Sequence, residues 1–284
     1  MRFRLLPLAI AMAVATPAAA QQTVSAPAAT PAPKPRISPD AMPACASPVP
    51  PPLTPEQIAA YRARVAGAKV TLPPATVPNP IRPGAVPKHE CFLAVAKRGN
   101  IDLLFVGDSI TDFFGRADRG ADVWKARYAP LRAANFGISG DTTQDVLWRM
   151  QNGELDGFKA KLIVLMLGTN NIGRNPNAEI AAGDAAIIAE FRKRQPQAKV
   201  LLLGIFPRGS DPNGAGRIAV REINTHLAAL ADNQSIFFLD IAPSFLNPDG
   251  KLIEGAMVDG LHPGPKGYQI WADAIDPAVQ KLMR

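Results

Sequence analysis

Short apolar, β-branched runs recur along the second two-thirds of the chain, at Ile101–Val106, Ala134–Phe136, Leu162–Leu167, Val200–Ile205 and Ile236–Ile241. Each is short and nearly continuous, the pattern of a strand buried on both faces. Between and after them lie stretches with helical spacing: Thr142–Gln151, Ala178–Gln195, Arg217–Ala231 and Lys266–Leu282. A further helix is expected from His89 to about Gly99, ahead of the first strand. Strand alternating with helix predicts an α/β fold with a parallel sheet of about five strands, covered on both sides. The right-handed crossover rule then gives a doubly wound, flavodoxin-like three-layer sandwich.

The first 88 residues do not follow this rhythm. Arg2 and Arg4 precede an apolar stretch, Leu5–Ala15, and Ala18, Ala19 and Ala20 follow it. That is the layout of a secretory signal peptide over residues 1–20, too short to span a bilayer. From Gln21 to about Pro52 the chain is rich in Ala, Pro, Thr and Ser, which reads as an extended linker. Thr54, Pro55 and Glu56 open a short helix towards Val65 within an extension over residues 53–88, and the main domain is expected over 89–284.

With 47% hydrophobic residues in 284, a sizeable core is expected. The formal charge is +7, and +5 without Arg2 and Arg4. The basic residues are scattered and lack interleaved aromatics, so nucleic acid is not the expected partner. No membrane span is expected, and the protein is placed in the periplasm or outside the cell. An oxidising compartment permits Cys45 and Cys91 to pair, tying the Pro-rich segment to the domain edge; free thiols are the alternative.

Ligands of such sheets bind beyond the carboxyl ends of the strands. After the first strand comes Gly107-Asp108-Ser109, after the second "NFGISGDTT" with Gly137 and Gly140, and after the third "GTNN" with Gly168, Asn170 and Asn171. A loop beyond the fifth holds "DGLHPG", with Asp259 and His262. A serine needs a base to become a nucleophile, and the base needs a partner to fix its tautomer. Ser109, His262 and Asp259 meet that requirement. The backbone amides of Ser109 and Gly140 and the side chain of Asn170 are candidate donors for an oxyanion. Each signal has a plain structural reading as turn or cap; their order at successive strand ends is what makes them specific. His89 and His226 read as structural or solvent-facing. No cluster has metal-ligand spacing, and neither metal nor cofactor is expected.

Gly-Asp-Ser, then Gly140, then Asn170, then Asp-x-x-His resembles the four blocks of the SGNH (GDSL-type) hydrolases. "NFGISGDTTQDVLWRMQNGEL", "GTNNIG" and "RKRQPQAKVLLLGIFPRG" resemble the branch containing the catalytic subunits of platelet-activating factor acetylhydrolase, over roughly His89–Arg284. The resemblance implies a metal-free serine esterase with Ser109 as nucleophile, His262 as base and acid, Asp259 as its orienting partner, and an oxyanion hole of Ser109, Gly140 and Asn170. Ser139 stands where relatives often have another glycine. The expected substrate is a short acyl ester, on a small molecule or glycan; longer acyl chains or an inactive envelope-binding module are the rivals. The resemblance leaves room for a homodimer.

Overall fold

A computed structural model describes Cys45, Glu56 and residues 72–284. The expected signal peptide and all but single residues of the linker and the helix opening at Thr54 lie outside the described residues.

Five parallel strands form one sheet: β1 (Leu103–Gly107), β2 (Ala133–Gly137), β3 (Leu162–Met166), β4 (Lys199–Leu203) and β5 (Ile236–Leu239), in the order β2-β1-β3-β4-β5. The order reverses at β1, which lies between β2 and β3. That is the switch point where doubly wound sheets open a crevice. The helices are α1 (Val86–Arg98), α2 (Ser109–Asp112), α3 (Ala121–Arg127), α4 (Thr143–Gln151), α5 (Asn177–Arg194), α6 (Ala215–Ala228) and α7 (Pro265–Leu282).

The apolar runs serve two cores at once because strand side chains alternate between faces. Leu104, Val106, Ile163, Leu165, Val200 and Leu202 pack with α1, α4, α5 and α6. Leu103, Phe105, Val164, Met166, Leu201 and Leu203 pack with α3 and α7. On that second face α7 presents Tyr268, Trp271, Ile275, Val279 and Leu282, spaced three or four apart. They join Phe105, Phe114, Trp124 and Tyr128 in an aromatic cluster. Burying each phenylalanine there stabilises by roughly 1.5–3 kcal/mol. The cluster lies under α2, and the Tyr268 hydroxyl donates to the Ile110 carbonyl at 2.7 Å, tying α7 to that short helix.

One helix starts earlier than the sequence expectation and another is additional to it. Helix α1 begins at Val86, three residues before His89, because Pro87 falls in its first turn, where no amide donor is needed. Helix α3 was not expected: among its seven residues only Trp124 is buried, too little for an apolar stripe to be legible.

Candidate active site

Strand β1 runs into Gly107, whose Cα face lies against the Thr111 side chain and the Met166 carbonyl, leaving no room for a Cβ. Asp108 then caps α2, its Oδ1 accepting the Ile110 amide at 2.9 Å. These two roles explain the Gly-Asp pair and leave Ser109 as the first helical residue, with its side chain uncommitted to the backbone. Burial pushes the Asp108 carboxyl up to about 7, against the Ile110 hydrogen bond and the charge of His262.

Ser109 Oγ lies 3.0 Å from His262 Nε2. On the other side of the ring, His262 Nδ1 is 2.7 Å from Asp259 Oδ2. Asp259 divides its oxygens: Oδ1 accepts the amides of Leu261 (3.0 Å) and His262 (2.7 Å), while Oδ2 takes the ring. The three-residue spacing thus folds as a small side-chain turn that presents the imidazole. Burial pushes the Asp259 carboxyl up, but the bonds from the His262 ring and amide and from Leu261 outweigh it and hold the group at about 2. The carboxylate is therefore charged at any neutral pH. The Phe113 ring packs 5.2 Å from the imidazole, centroid to centroid.

The second loop is fastened to α2. Ser139 donates its amide and its hydroxyl to Asp112 Oδ2, both at 3.0 Å, and Lys88 pairs with the other oxygen of that carboxylate. Gly140 follows at φ +83°, a conformation that favours glycine. Its amide donates to no protein group among the described residues. Thr142 then starts α4 with a capping box to Asp145, whose Oδ2 accepts the Thr142 amide at 2.9 Å and also the Thr142 hydroxyl at 2.7 Å. In the third loop Gly168 (φ +113°) turns the chain so that Asn170 Nδ2 donates to the Asp141 carbonyl at 2.8 Å. Its neighbour Asn171 is buried in a network with Thr143, Gln144 and Asn175, so the two asparagines of "GTNN" separate into one bonded to the second loop and one holding its own.

Four strand-end segments expected from the sequence therefore meet. Cys45 and Cys91 are joined in a disulfide, with Cα atoms 5.7 Å apart. His89 is buried against Glu154 (2.6 Å) and His226 is exposed, both away from the chemistry. Among the described residues no group of three or more His, Cys, Asp or Glu could hold a metal, and no helix is long and apolar enough to cross a membrane.

Two arginine-centred features were not legible in the sequence. Arg149 is fully buried, its Nε 2.8 Å from Asp141 Oδ2 and its Nη1 paired with Glu154. Arg208, after β4, donates to the Thr169 carbonyl at 2.8 Å, and Gly209 donates to the Gly260 carbonyl at 2.7 Å. This turn links the Asn170 loop to the Asp259–His262 loop. It also walls a groove of about 730 Å³ that runs through Ser210, Asp211, Gly214 and Gly216 to His262. A spatial link between blocks so distant in sequence leaves no local signal.

A hydroxyl within reach of an imidazole that is backed by a carboxylate can attack an acyl carbon. The sequence profile of the GDSL-like lipase/acylhydrolase family matches residues 105–270. The chain belongs to that family. This acylhydrolase is 37% identical over 196 residues to the platelet-activating factor acetylhydrolase IB subunit alpha1 of Bos taurus, covering 69% of this chain and 82% of that protein. It is 39% identical to the alpha2 subunit of Rattus norvegicus, covering 69% and 83%. Its fold matches a GDSL-like lipase of Bacteroides thetaiotaomicron with a TM-score of 0.56 at 22% identity, over 70% of this chain and 96% of that one. An acetylxylan esterase of Geobacillus stearothermophilus matches with a TM-score of 0.52 at 23% identity, over 65% and 94%. The acylhydrolase is accordingly an enzyme that hydrolyses esters.

Proposed function

We propose that the acylhydrolase is an exported serine esterase that removes short acyl groups, acetyl foremost, from carbohydrate hydroxyls. The observation that carries this reading is the unbroken relay from Ser109 Oγ through His262 to Asp259, at 3.0 and 2.7 Å. Ser109 Oγ attacks the ester carbonyl as its proton passes to His262 Nε2, and Asp259 stabilises the resulting imidazolium. The carbonyl oxygen becomes an oxyanion facing the amides of Ser109 and Gly140. Asn170 has two N–H donors, one anchored on the Asp141 carbonyl, and the second is free for the oxyanion. Collapse expels the alcohol, which takes the proton from His262 and leaves an acyl-serine. Water, deprotonated by His262, then releases the acid and restores Ser109.

Acetyl preference is supported by the post-strand loops "GISGDTT" and "GTNNIGRNPN", which supply small and polar residues rather than an apolar channel. The relatives carry acetylhydrolase in their names, and the same fold hosts an acetylxylan esterase. Carbohydrate as the alcohol is supported by the groove beside His262, where Arg208, Ser210 and Asp211 offer donors and acceptors. Export is supported by the layout of residues 1–20 and by a disulfide of the kind that persists in oxidising compartments. The proposed order along the chain is signal peptide 1–20, linker 21–52, extension 53–88 and catalytic domain 89–284.

A second reading, hydrolysis of longer acyl chains, is favoured by Val258, which is 52% exposed immediately before Asp259. Ser109→Ala and His262→Ala, assayed on an aryl acetate with a thermal melt to confirm folding, test the catalytic assignment. Each should lose nearly all turnover and keep its melt. Near-normal hydrolysis by folded Ser109→Ala would end it and favour a non-catalytic binding module.

A further inference from the structure

The chain ahead of α1 crosses the loops that carry two of the three oxyanion donors. Gln144 Nε2 and Asn175 Nδ2 donate to the Pro73 carbonyl at 2.7 and 3.0 Å, and the Thr143 hydroxyl donates to the Ala75 carbonyl at 3.2 Å. The Asn79 amide donates to the Gln144 carbonyl at 3.1 Å. Ala75 is fully buried, and its carbonyl lies 2.8 Å from where a Cβ on Gly183 of α5 would stand. These bonds reach the start of α4 and the end of the Asn170 loop. None of the strap residues falls within the family-matched stretch, 105–270.

Arg82 ends this strap directly beside Gly140. Its Nη2 donates to the Ser139 carbonyl at 3.1 Å and to Asp141 Oδ1 at 2.6 Å, so it grips the chain on both sides of the glycine. Its Nη1 lies 3.4 Å from where a Gly140 Cβ would be. Asp141 carries the connection onward: buried, it gives its second carboxylate oxygen to Arg149 and its carbonyl to Asn170 Nδ2. Arg82 thus touches the peptide that presents one donor and, through Asp141, the anchor of the other.

We propose that residues 72–82 are a working part of the active site, with Arg82 a positioning residue that sets the Gly140 amide and the Asn170 carboxamide. The proposal rests on the oxyanion-hole reading above. Arg149 keeps its own bond to Asp141 Oδ2 when Arg82 is removed, and the Arg82 side chain is 43% exposed. Its removal therefore leaves the core intact and relaxes the geometry at the rim. Donors aimed at the oxyanion act mainly in the transition state, so the loss falls on kcat rather than KM.

The test is steady-state kinetics of the full chain on p-nitrophenyl acetate for Arg82→Ala, Arg82→Lys, Asn170→Ala and the Arg82→Ala/Asn170→Ala pair, each with a thermal melt. Arg82→Ala should stay folded at the assay temperature, with a melt somewhat lowered by the freed Asp141 oxygen, and lower kcat on the order of 10-fold, less than the ~10²–10³ for losing a donor outright, with KM nearly unchanged. Arg82→Lys should recover part of the loss, since an ammonium reaches one of the two acceptors. In the Asn170→Ala background Arg82→Ala should cost less than it does alone, because part of its effect runs through Asn170. A rise in KM with kcat unchanged would make Arg82 a substrate contact and overturn the proposal. So would an unchanged kcat, or full additivity with Asn170→Ala. If Asn170→Ala itself leaves kcat intact, the oxyanion reading fails; if it lowers kcat while Arg82→Ala does not, only the strap's role fails.

Discussion

Asp259→Asn separates the two jobs of that side chain. Asparagine keeps one carbonyl oxygen in the place of Oδ1, so the Leu261 and His262 amides retain their acceptor at 3.0 and 2.7 Å and the turn stays folded. In the place of Oδ2 it puts an NH₂ group 2.7 Å from His262 Nδ1. A donor there forces Nδ1 to be the acceptor, which moves the ring proton to Nε2, facing Ser109 Oγ at 3.0 Å. The imidazole then has no lone pair for the serine proton, and the imidazolium loses its counter-charge. The same exchange in chymotrypsin-type triads drops kcat about 10⁴, and a loss of about 10³–10⁴ is expected here. The assay is kcat on p-nitrophenyl acetate at neutral pH, with the melt held against wild type; Asp259→Ala, which also removes the turn acceptor, should lose thermal stability as well. A folded Asp259→Asn enzyme within about tenfold of wild type would refute the tautomer argument, since a merely structural acceptor survives the exchange.

Across p-nitrophenyl esters, kcat/KM should peak at acetate or propionate and fall steeply by octanoate; a steady rise, of the order of the 0.8 kcal/mol that each buried methylene contributes, would favour the long-chain reading. Thiol titration of denatured, unreduced protein should find no free thiol. Reduction should lower the melting temperature, since closing a loop of sequence separation 46 is worth up to ~4 kcal/mol, and leave kcat/KM largely in place. Because Asp259 is held at about 2 in the folded chain, below its ordinary 3.8, its contribution to stability is full above about pH 4 and lost as pH falls towards 2. Urea midpoints measured across that window for wild type and Asp259→Asn should converge at the acid end; curves that stay parallel would count against the linkage.

The sheet was legible because a parallel strand buried on both faces is apolar throughout, as in the Leu162–Leu167 run, of which Leu162–Met166 forms the strand. Gly107 and Gly137 looked like the residues after strands, yet both complete them, since the neighbouring chain packs too close for a side chain. Asp102, a bend residue, shortens the first run at its other end. Ser109, Gly140, Asn170, Asp259 and His262 could be singled out because parallel strands bring their carboxyl ends to one edge. Arg82, Asp141 and Arg149 could not. A buried charge and a solvated one look alike in a sequence, and Arg82 meets Asp141 across 59 positions. The proline-rich stretch ahead of Arg82 reads as a passive extension, whereas its Pro73 and Ala75 carbonyls accept from Gln144, Asn175 and Thr143.

The division of labour around the groove bears on how this enzyme could change its substrate. Ser109, Gly140 and Asn170 stand on short segments fixed by caps, glycines and buried amides, where insertions would shift all three. The segment from Arg208 to Gly216 meets them through two anchors at its first residues, the Arg208 bond to Thr169 and the Gly209 bond to Gly260. Beyond Gly209 it is wall. Exchanging Ser210–Asn213 for loops of other length and charge leaves both anchors and the whole relay untouched. That stretch is where a library aimed at new alcohols should begin.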